Sequence, residues 1–285
     1  MAAGMMHPRT LPQDILALLD EDVETIVDES LLDEAAEQFK SALRRRLSRQ
    51  EKRGGLRMSA IGKPGCQLWF AENEPEHVEG IPPQTHMKFL YGDLLEILLI
   101  FMTKAAGHEV TFEQGEVEVD GVLGHMDCLI DDVPVDVKSA SGYAFQKFKE
   151  GRLAEDDAFG YIPQLSGYAH AVDRTKEAGF LVINKETGAI CYDPLDEATI
   201  LANAPGPIIA QQRENLAAPS VPFRYPPTPD GKSGNMKLTV RCSYCPAKQR
   251  CWKDSNGGRG LRTFIYSTGP RYLTSVGKEP QVYEV

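Results

Sequence analysis

The segment Gly124-His-Met-Asp127-Cys-Leu-Ile-Asp-Asp-Val-Pro-Val-Asp136-Val-Lys138 carries residue types that could do chemistry together. In Val135-Asp136-Val137-Lys138 apolar and polar residues alternate. A strand here turns Asp136 and Lys138 to one face and sends both valines into a core. A carboxylate beside an ammonium suits a site that holds a cation and orients a water next to it. Asp127 ends its own alternating run, with His125 two residues earlier on the same face as a weaker candidate. Neighbouring antiparallel strands would bring Asp127 and Asp136 within reach of one ion. A third acid, Glu96, interrupts the apolar run from Leu94 to Met102. Burying it alone costs on the order of several kcal/mol, so it needs Lys88, Lys104 or a metal. Three hard oxygen ligands with open positions suit Mg2+ or Mn2+.

A second chemistry is written in Cys242-Ser-Tyr-Cys245-Pro-Ala-Lys-Gln-Arg-Cys251, a C-x2-C-x5-C spacing. Three cysteines this close point to soft-metal binding, and Cys66 is the best fourth ligand. The spacing leaves Zn2+ and an iron–sulfur cluster both open. Cys128 and Cys191 lie in strand-like runs and read as small buried residues.

The elements that must position these groups can be read from periodicity. A charged helical pattern runs from Asp14 to about Arg53, acidic first (Asp20, Glu21, Asp22, Glu24, Asp28, Glu29) and then basic (Arg44, Arg45, Arg46, Arg49, Lys52, Arg53), until Gly54-Gly55 breaks it. A long, nearly buried helix is expected over His86 to Ala106. Strands follow at Glu109–Glu118, Gly121–Ile130 and Val133–Ser139, with hairpin turns at Asp120-Gly121 and Asp131-Asp132. A polar helix from Tyr143, an amphipathic helix over Ile162–Arg174, strands at Phe180–Asn184 and Ala189–Tyr192, and a helix over Asp196–Asn215 complete an α/β core with a mixed sheet. A Pro-rich connector leads to the cysteine cluster and a Gly-rich tail.

With 285 residues, 42% hydrophobic and 25% charged, the chain can bury a real core, which excludes disorder as its main state. The net charge of −10 argues against a protein that coats nucleic acid non-specifically, yet leaves room for a nucleic-acid enzyme whose site is acidic. No apolar run can cross a bilayer, and the start lacks a charged-then-apolar pattern, so an intracellular, cytoplasmic protein is expected. The compact size would fit a phage-encoded protein acting in the host cytoplasm.

The ordered set Gly92-x-x-x-Glu96, Gly124-x-x-Asp127, Asp136-x-Lys138 and Gln164-x-x-x-Tyr168 resembles the PD-(D/E)XK nuclease superfamily, specifically its RecB-like exonuclease branch. The match spans Gly92 to Tyr168, the core without the ends. One departure is Glu96, where many relatives carry His. The resemblance implies a restriction-endonuclease-like fold and an Mg2+- or Mn2+-dependent hydrolase that cleaves phosphodiester bonds in DNA, single-stranded or at its ends. Glu96, Asp127, Asp136 and the carbonyl of Val137 would hold the metal. Lys138 would orient or help deprotonate the water, and Gln164 and Tyr168 would contact DNA. One early cysteine with three late ones is similar to the iron–sulfur members of this family, such as CRISPR-associated RecB-like exonucleases and AddB-type nucleases. That likeness implies a 4Fe–4S cluster on Cys66, Cys242, Cys245 and Cys251, stapling a loop of about 175 residues. The expected organisation is a helical region over 1–57, a nuclease core over 58–235 and an iron–sulfur module over 236–285 joined by Cys66. Cations of that module (Lys248, Arg250, Lys253, Arg259, Arg262, Arg271), interleaved with Trp252, Phe264, Tyr266 and Tyr272, could bind single-stranded DNA. Lys147 and Lys149, just after the Lys138 strand, are better placed to meet a DNA backbone. A structure-specific endonuclease and a non-catalytic DNA-binding adaptor are the rival readings.

Overall fold

A computed structural model of the chain describes residues 6–22, 27–48 and 55–285. Glu24, Arg49, Lys52, Arg53 and Gly54, used above, lie outside the described residues. Along the chain the elements are α1 (Leu11–Ala17), α2 (Glu29–Leu47), α3 (Gly65–Asn73), α4 (Pro83–Ala105), β1 (Val110–Thr111), β2 (Gly115–Val119), β3 (Val122–Met126), β4 (Cys128–Ile130) and β5 (Val133–Ala140). There follow α5 (Gly142–Lys149), α6 (Tyr161–Ala171), β6 (Glu177–Asn184), β7 (Ile190–Asp196), α7 (Glu197–Ala202) and α8 (Pro205–Ala217). The last part holds β8 (Thr228–Pro229), β9 (Met236–Lys237), α9 (Val240–Ser243), α10 (Lys248–Cys251), β10 (Arg262–Tyr266) and β11 (Gly269–Ser275).

Two long helical expectations divide. The charged stretch after Asp14 is α1 and α2, because Asp28 starts a new helix by accepting the Ser30 N–H at 2.8 Å. The stretch after Asp196 breaks before Pro205, whose ring excludes a helical hydrogen bond there and which opens α8 instead.

The chain forms two compact units, residues 1–62 with 82–209, and residues 63–81 with 210–285. These boundaries differ from those at 57/58 and 235/236. The amino-terminal helices are not separate: Ala35 and Ala42 of α2 pack on Ile97 of α4, and Leu11 and Ile15 of α1 join the core under the sheet. Helix α3, in contrast, puts Trp69 and Phe70 against Cys245 and Ala247, so it belongs with the carboxyl-terminal part.

The first unit is α/β. Its sheet has the order β1-β4-β5-β6-β7; β5 and β6 run parallel and the other pairs antiparallel, so the sheet is mixed as expected. The parallel pair needs a crossover, and α5 with α6 supplies it. Val135, Val137, Leu181 and Ile183 face Leu99 and Ile100 of α4. Phe180 and Val182 face Phe145 and Phe148 of α5 and Leu165 of α6. The turn Asp120-Gly121 takes φ values of +50° and +73°, and Asp131-Asp132 takes +49° and +65°, the left-handed pairs that tight hairpins require. Strands β2 and β3 form a hairpin of their own beside the main sheet.

The second unit contains a four-stranded sheet of order β10-β11-β9-β8. The Gly-rich tail forms a hairpin. Alternation in Arg262-Thr-Phe264-Ile-Tyr266 buries Phe264, and Gly269 opens β11 at a φ of +114°.

Candidate functional site

The first candidate site lies where two strands part. Strand β4 pairs with β5 from Cys128 opposite Val135 to Ile130 opposite Val133, whereas β5 continues beside β6 as far as Ala140. Beyond Val135 the β4 side of β5 is therefore an open edge. There the Asp127 side chain replaces a strand: its Oδ2 accepts the Val137 N–H at 2.8 Å. Asp136 and Lys138 share one face of β5, as their spacing predicts, and form an ion pair.

Asp136 is 1% exposed, and neither of its carboxylate oxygens accepts a well-directed hydrogen bond; the Lys138 ammonium is its charged neighbour. Burial, then the Asp136 charge, pushes the Asp127 carboxyl up to about 7, although Lys138 and the Val137 N–H pull the other way. Burial, then Asp127, pushes Glu96 up to about 8. Burial alone would lower the Lys138 ammonium, but the charges of Asp136 and Asp127 outweigh it and hold the proton on. Three acids thus crowd around one ammonium, and two of them resist ionising, first because they are buried and then because the others are near.

Glu96 finds its hydrogen bond at Gln114, whose Nε2 donates to Oε1 at 2.6 Å. Gln114 sits at φ +49° in the turn before β2, and its backbone N–H donates to the Asp127 carbonyl at 2.9 Å. Sequence reasoning missed this residue, since one glutamine in a loop carries no periodic signal. Lys104 does not serve Glu96; it pairs with Glu34 at 2.7 Å and with Glu113 at 2.5 Å.

On α6, Gln164 and Tyr168 share a face one turn apart, and Gln164 Nε2 donates to the Tyr168 hydroxyl at 3.2 Å. Tyr168 is buried, and burial together with the Asp136 charge pushes its phenol up. Gly124 makes room for it: a Cβ there would stand 2.8 Å from the Tyr168 ring and 2.5 Å from Met58 Cβ. His125 is not gathered into the site. It points from the exposed face of β3 toward Glu116, 3.7 Å away. Tyr161, also unanticipated, opens α6 with its ring centre 5.3 Å from the Lys138 ammonium.

The second candidate site lies wholly in the second unit. Cys66 in α3, Cys242 in α9, Cys251 in α10 and Cys245 in the link between α9 and α10 line one pocket with Phe70, Arg224 and Trp252. Burial, then the other three thiols, pushes Cys66 up to about 12. Cys251 rises to about 11 for the same first reason, with Arg224 opposing. Arg224 Nη1 donates to the Cys251 carbonyl at 2.6 Å, pairs with Asp254, and lies 4.3 Å from the Trp252 ring centre. Cys128 and Cys191 are buried in the strands of the first unit, as expected.

Most of the cations around this pocket are already engaged. Arg250 pairs with Glu74, Lys248 with Glu79, Arg271 with Asp230, and Arg262 with Glu279 and Glu284. The basic, aromatic carboxyl-terminal segment is thus a set of internal ion pairs: Arg271 lies over the Tyr266 ring and Arg262 over Phe264.

Among the described residues, no three His, Cys, Asp or Glu side chains are poised to hold a single metal ion as they stand. The donor sets nevertheless fit the groups implied above. The buried Asp136 oxygens lack a well-directed donor, and hard carboxylates surround them. Four thiols share one pocket, and a soft cation would relieve the cost of ionising them there.

No protein-family model matches the chain, and no curated protein does. Among solved structures, a crystal structure of SSO0001 matches 74% of this chain and 92% of its own at 16% identity, with a TM-score of 0.41. No helix among the described residues is long and apolar enough to cross a membrane.

Proposed function

We propose that the chain is a metal-dependent deoxyribonuclease of the PD-(D/E)XK type, in its RecB-like branch, acting as an exonuclease on single strands or DNA ends. The observation that carries this reading is the convergence of Glu96, Asp127 and Asp136 on Lys138 at the open edge of β5. Hydrolysis of a phosphodiester needs a cation to bind the phosphate and a positioned water, and this edge offers hard ligands with an ammonium among them.

Glu96, Asp127 and Asp136, with the Val137 carbonyl, would hold Mg2+ or Mn2+. A divalent ion there lowers the pKa of a bound water and offsets charge building on the phosphate. Lys138 would orient the water or help deprotonate it, and its ammonium would stabilise negative charge building on the phosphate. Gln164 holds the Tyr168 hydroxyl, and this pair shapes the wall beside Asp136. Glu96 in place of a histidine adds a hard ligand, which favours Mg2+ and Mn2+ over softer metals.

The thiol pocket fits a 4Fe–4S cluster on Cys66, Cys242, Cys245 and Cys251. A zinc ion draws four sulfurs to about 2.3 Å from one centre, whereas a four-iron cube takes one thiolate per iron and sets them wider apart. Either group would use the same four thiols, and Zn2+ is the alternative to the cluster. Its role would be a staple between α3 and the α9–α10 segment.

An acid cluster with so little compensation also weighs against a pure DNA-binding adaptor, which gains nothing from repelling phosphates. The test is incubation of anaerobically purified protein with DNA labelled at one end or internally, with Mg2+ or Mn2+. An exonuclease releases mononucleotides or short products from an end. Discrete internal fragments would point to a structure-specific endonuclease, and intact DNA under both metals would leave the adaptor.

A further inference from the structure

The loop between β1 and β2 carries backbone strain beside the acids. Phe112 and Gln114 both take left-handed φ values, +54° and +49°, although neither is a glycine. Backbone of this kind costs stability and persists only where its surroundings hold it, which makes it a marker for function. Here the surroundings are specific. The Phe112 ring fills the space where a Cβ of Gly115 would stand. The Gly115 N–H donates to the Phe112 carbonyl at 3.1 Å, and the Gln114 N–H donates to the Asp127 carbonyl at 2.9 Å. Glu113, between the two strained residues, pairs with Lys104 of α4, which also pairs with Glu34 of α2.

What this loop delivers is one side chain. Gln114 Nε2 donates to Glu96 Oε1 at 2.6 Å. The same side chain also acts on Asp127, where it favours the charged carboxylate. An amide carries two N–H donors, so one glutamine can serve two acids. Asp127 is thereby held along its whole length, its carbonyl by the Gln114 N–H and its Oδ2 by the Val137 N–H at 2.8 Å. Helix α4 grips the loop at consecutive residues: Glu96 takes Gln114, and Lys104, about two turns farther along, takes Glu113.

We propose that Gln114 is a positioning residue for the divalent ion, holding Glu96 and Asp127 in place as its ligands. This rests on the metal-dependent reading of the β5 edge and adds to it a residue that touches the acids rather than the ion. A neutral amide suits the task. It donates to both carboxylates without bringing a positive charge that would compete with the cation, as a lysine or arginine would. With Oε1 of Glu96 engaged, Oε2 is the oxygen presented to the ion. Partners that orient metal ligands in this way carry about tenfold or more of a site's metal affinity. The strained loop keeps the amide in place before the ion arrives, so little ordering remains to be done on binding.

The test is calorimetric binding of Mn2+ without DNA, with a melt of each protein in EDTA. Binding that Asp136→Asn abolishes marks the ion at the edge. Gln114→Met keeps the length of the side chain and removes the amide, and should bind that Mn2+ about tenfold more weakly than wild type. Gln114→Gly also removes the amide but relieves the left-handed φ, so it should bind as weakly as Gln114→Met while melting at or above the temperature of that variant. A glutamine with a merely structural role would leave Mn2+ affinity unchanged in the glycine variant. Wild-type affinity in either folded variant would overturn the positioning role, and Gln114→Gly keeps it open to refutation if Gln114→Met melts early. Failure of the nuclease reading looks different. Wild type that binds Mn2+ about tenfold better than Gln114→Met, yet leaves DNA intact, would keep the positioning role and remove the nuclease. Wild type with no Mn2+ at the edge would overturn both.

Discussion

The carboxylate edge and the thiol pocket solve opposite problems. At the edge of β5, burial and then the neighbouring carboxylates make Glu96 and Asp127 resist ionising, with the one ammonium of Lys138 and the buried Asp136 beside them. In the second unit several charges have an opposite partner around the thiols: Arg250 with Glu74, Lys248 with Glu79, Arg224 with Asp254. The first arrangement costs stability and is useful where a cation and a phosphate must be met. The second uses its charges to hold short helices around four thiols. Uncompensated charge marks the part that would react, and compensated charge marks the part that would hold.

The largest effect should come from breaking the edge. Asp136→Asn is expected to lower the cutting rate by about 10³-fold, the scale for removing one group that stabilises transition-state charge. Its melting temperature should hold or rise, because a buried carboxylate with no well-directed donor is removed. A rate near wild type would remove Asp136 from the site, and loss of folding would make it structural.

Cys66→Ser should do the reverse. It should cost about 3 kcal/mol, as for losing a cross-link over a long loop, and should abolish the brown iron–sulfur absorption of anaerobically purified protein. Iron content and denaturant melts read both. Retained iron in the variant would mean that Cys66 is not a ligand.

Gly124→Ala asks whether the wall beside Asp136 is as tight as its distances say. A methyl there meets Met58 and the Tyr168 ring, so a loss of about 2 kcal/mol is expected, with slower cutting because Tyr168 must move. An unaffected melt would show that α6 yields freely.

The smallest effect separates useful from idle burial of an acid. Asp193 in β7 is 6% exposed, and burial alone pushes its carboxyl up to about 7. Its folded pKa lies above the unfolded value, so the native state binds more protons between about pH 4 and 7. Its protonated form therefore supports the fold at low pH, and stability falls as pH rises toward 7 and then levels. Asp193→Asn should raise stability at pH 8 by about 1 kcal/mol, raise it less at pH 5, and leave cutting unchanged. Equal shifts at both pH values would contradict that account.

Much of the edge was legible because it is local. Alternation in Val135-Asp136-Val137-Lys138 gave the shared face, and the two Asp-led turns gave the hairpins. The unit boundaries were hidden, because Trp69 and Phe70 of α3 find their partners about 175 residues later and no local period encodes that. Gln114 and Tyr161 were hidden for the same reason, each defined by what folds over it. The partners of the carboxyl-terminal cations were hidden as well. Lys248, Arg250, Arg262 and Arg271 pair with Glu79, Glu74, Glu284 and Asp230, which lie far from them in the sequence or carry no local signal of the pairing.

The most direct test is the rate of phosphodiester cleavage on end-labelled single-stranded DNA as Mn2+ is titrated, for wild type beside Asp136→Asn. The edge should make the wild-type rate rise with Mn2+ to a plateau, with the variant about 10³-fold lower at every concentration. Cleavage that ignores Mn2+, or that survives intact in Asp136→Asn, would contradict it.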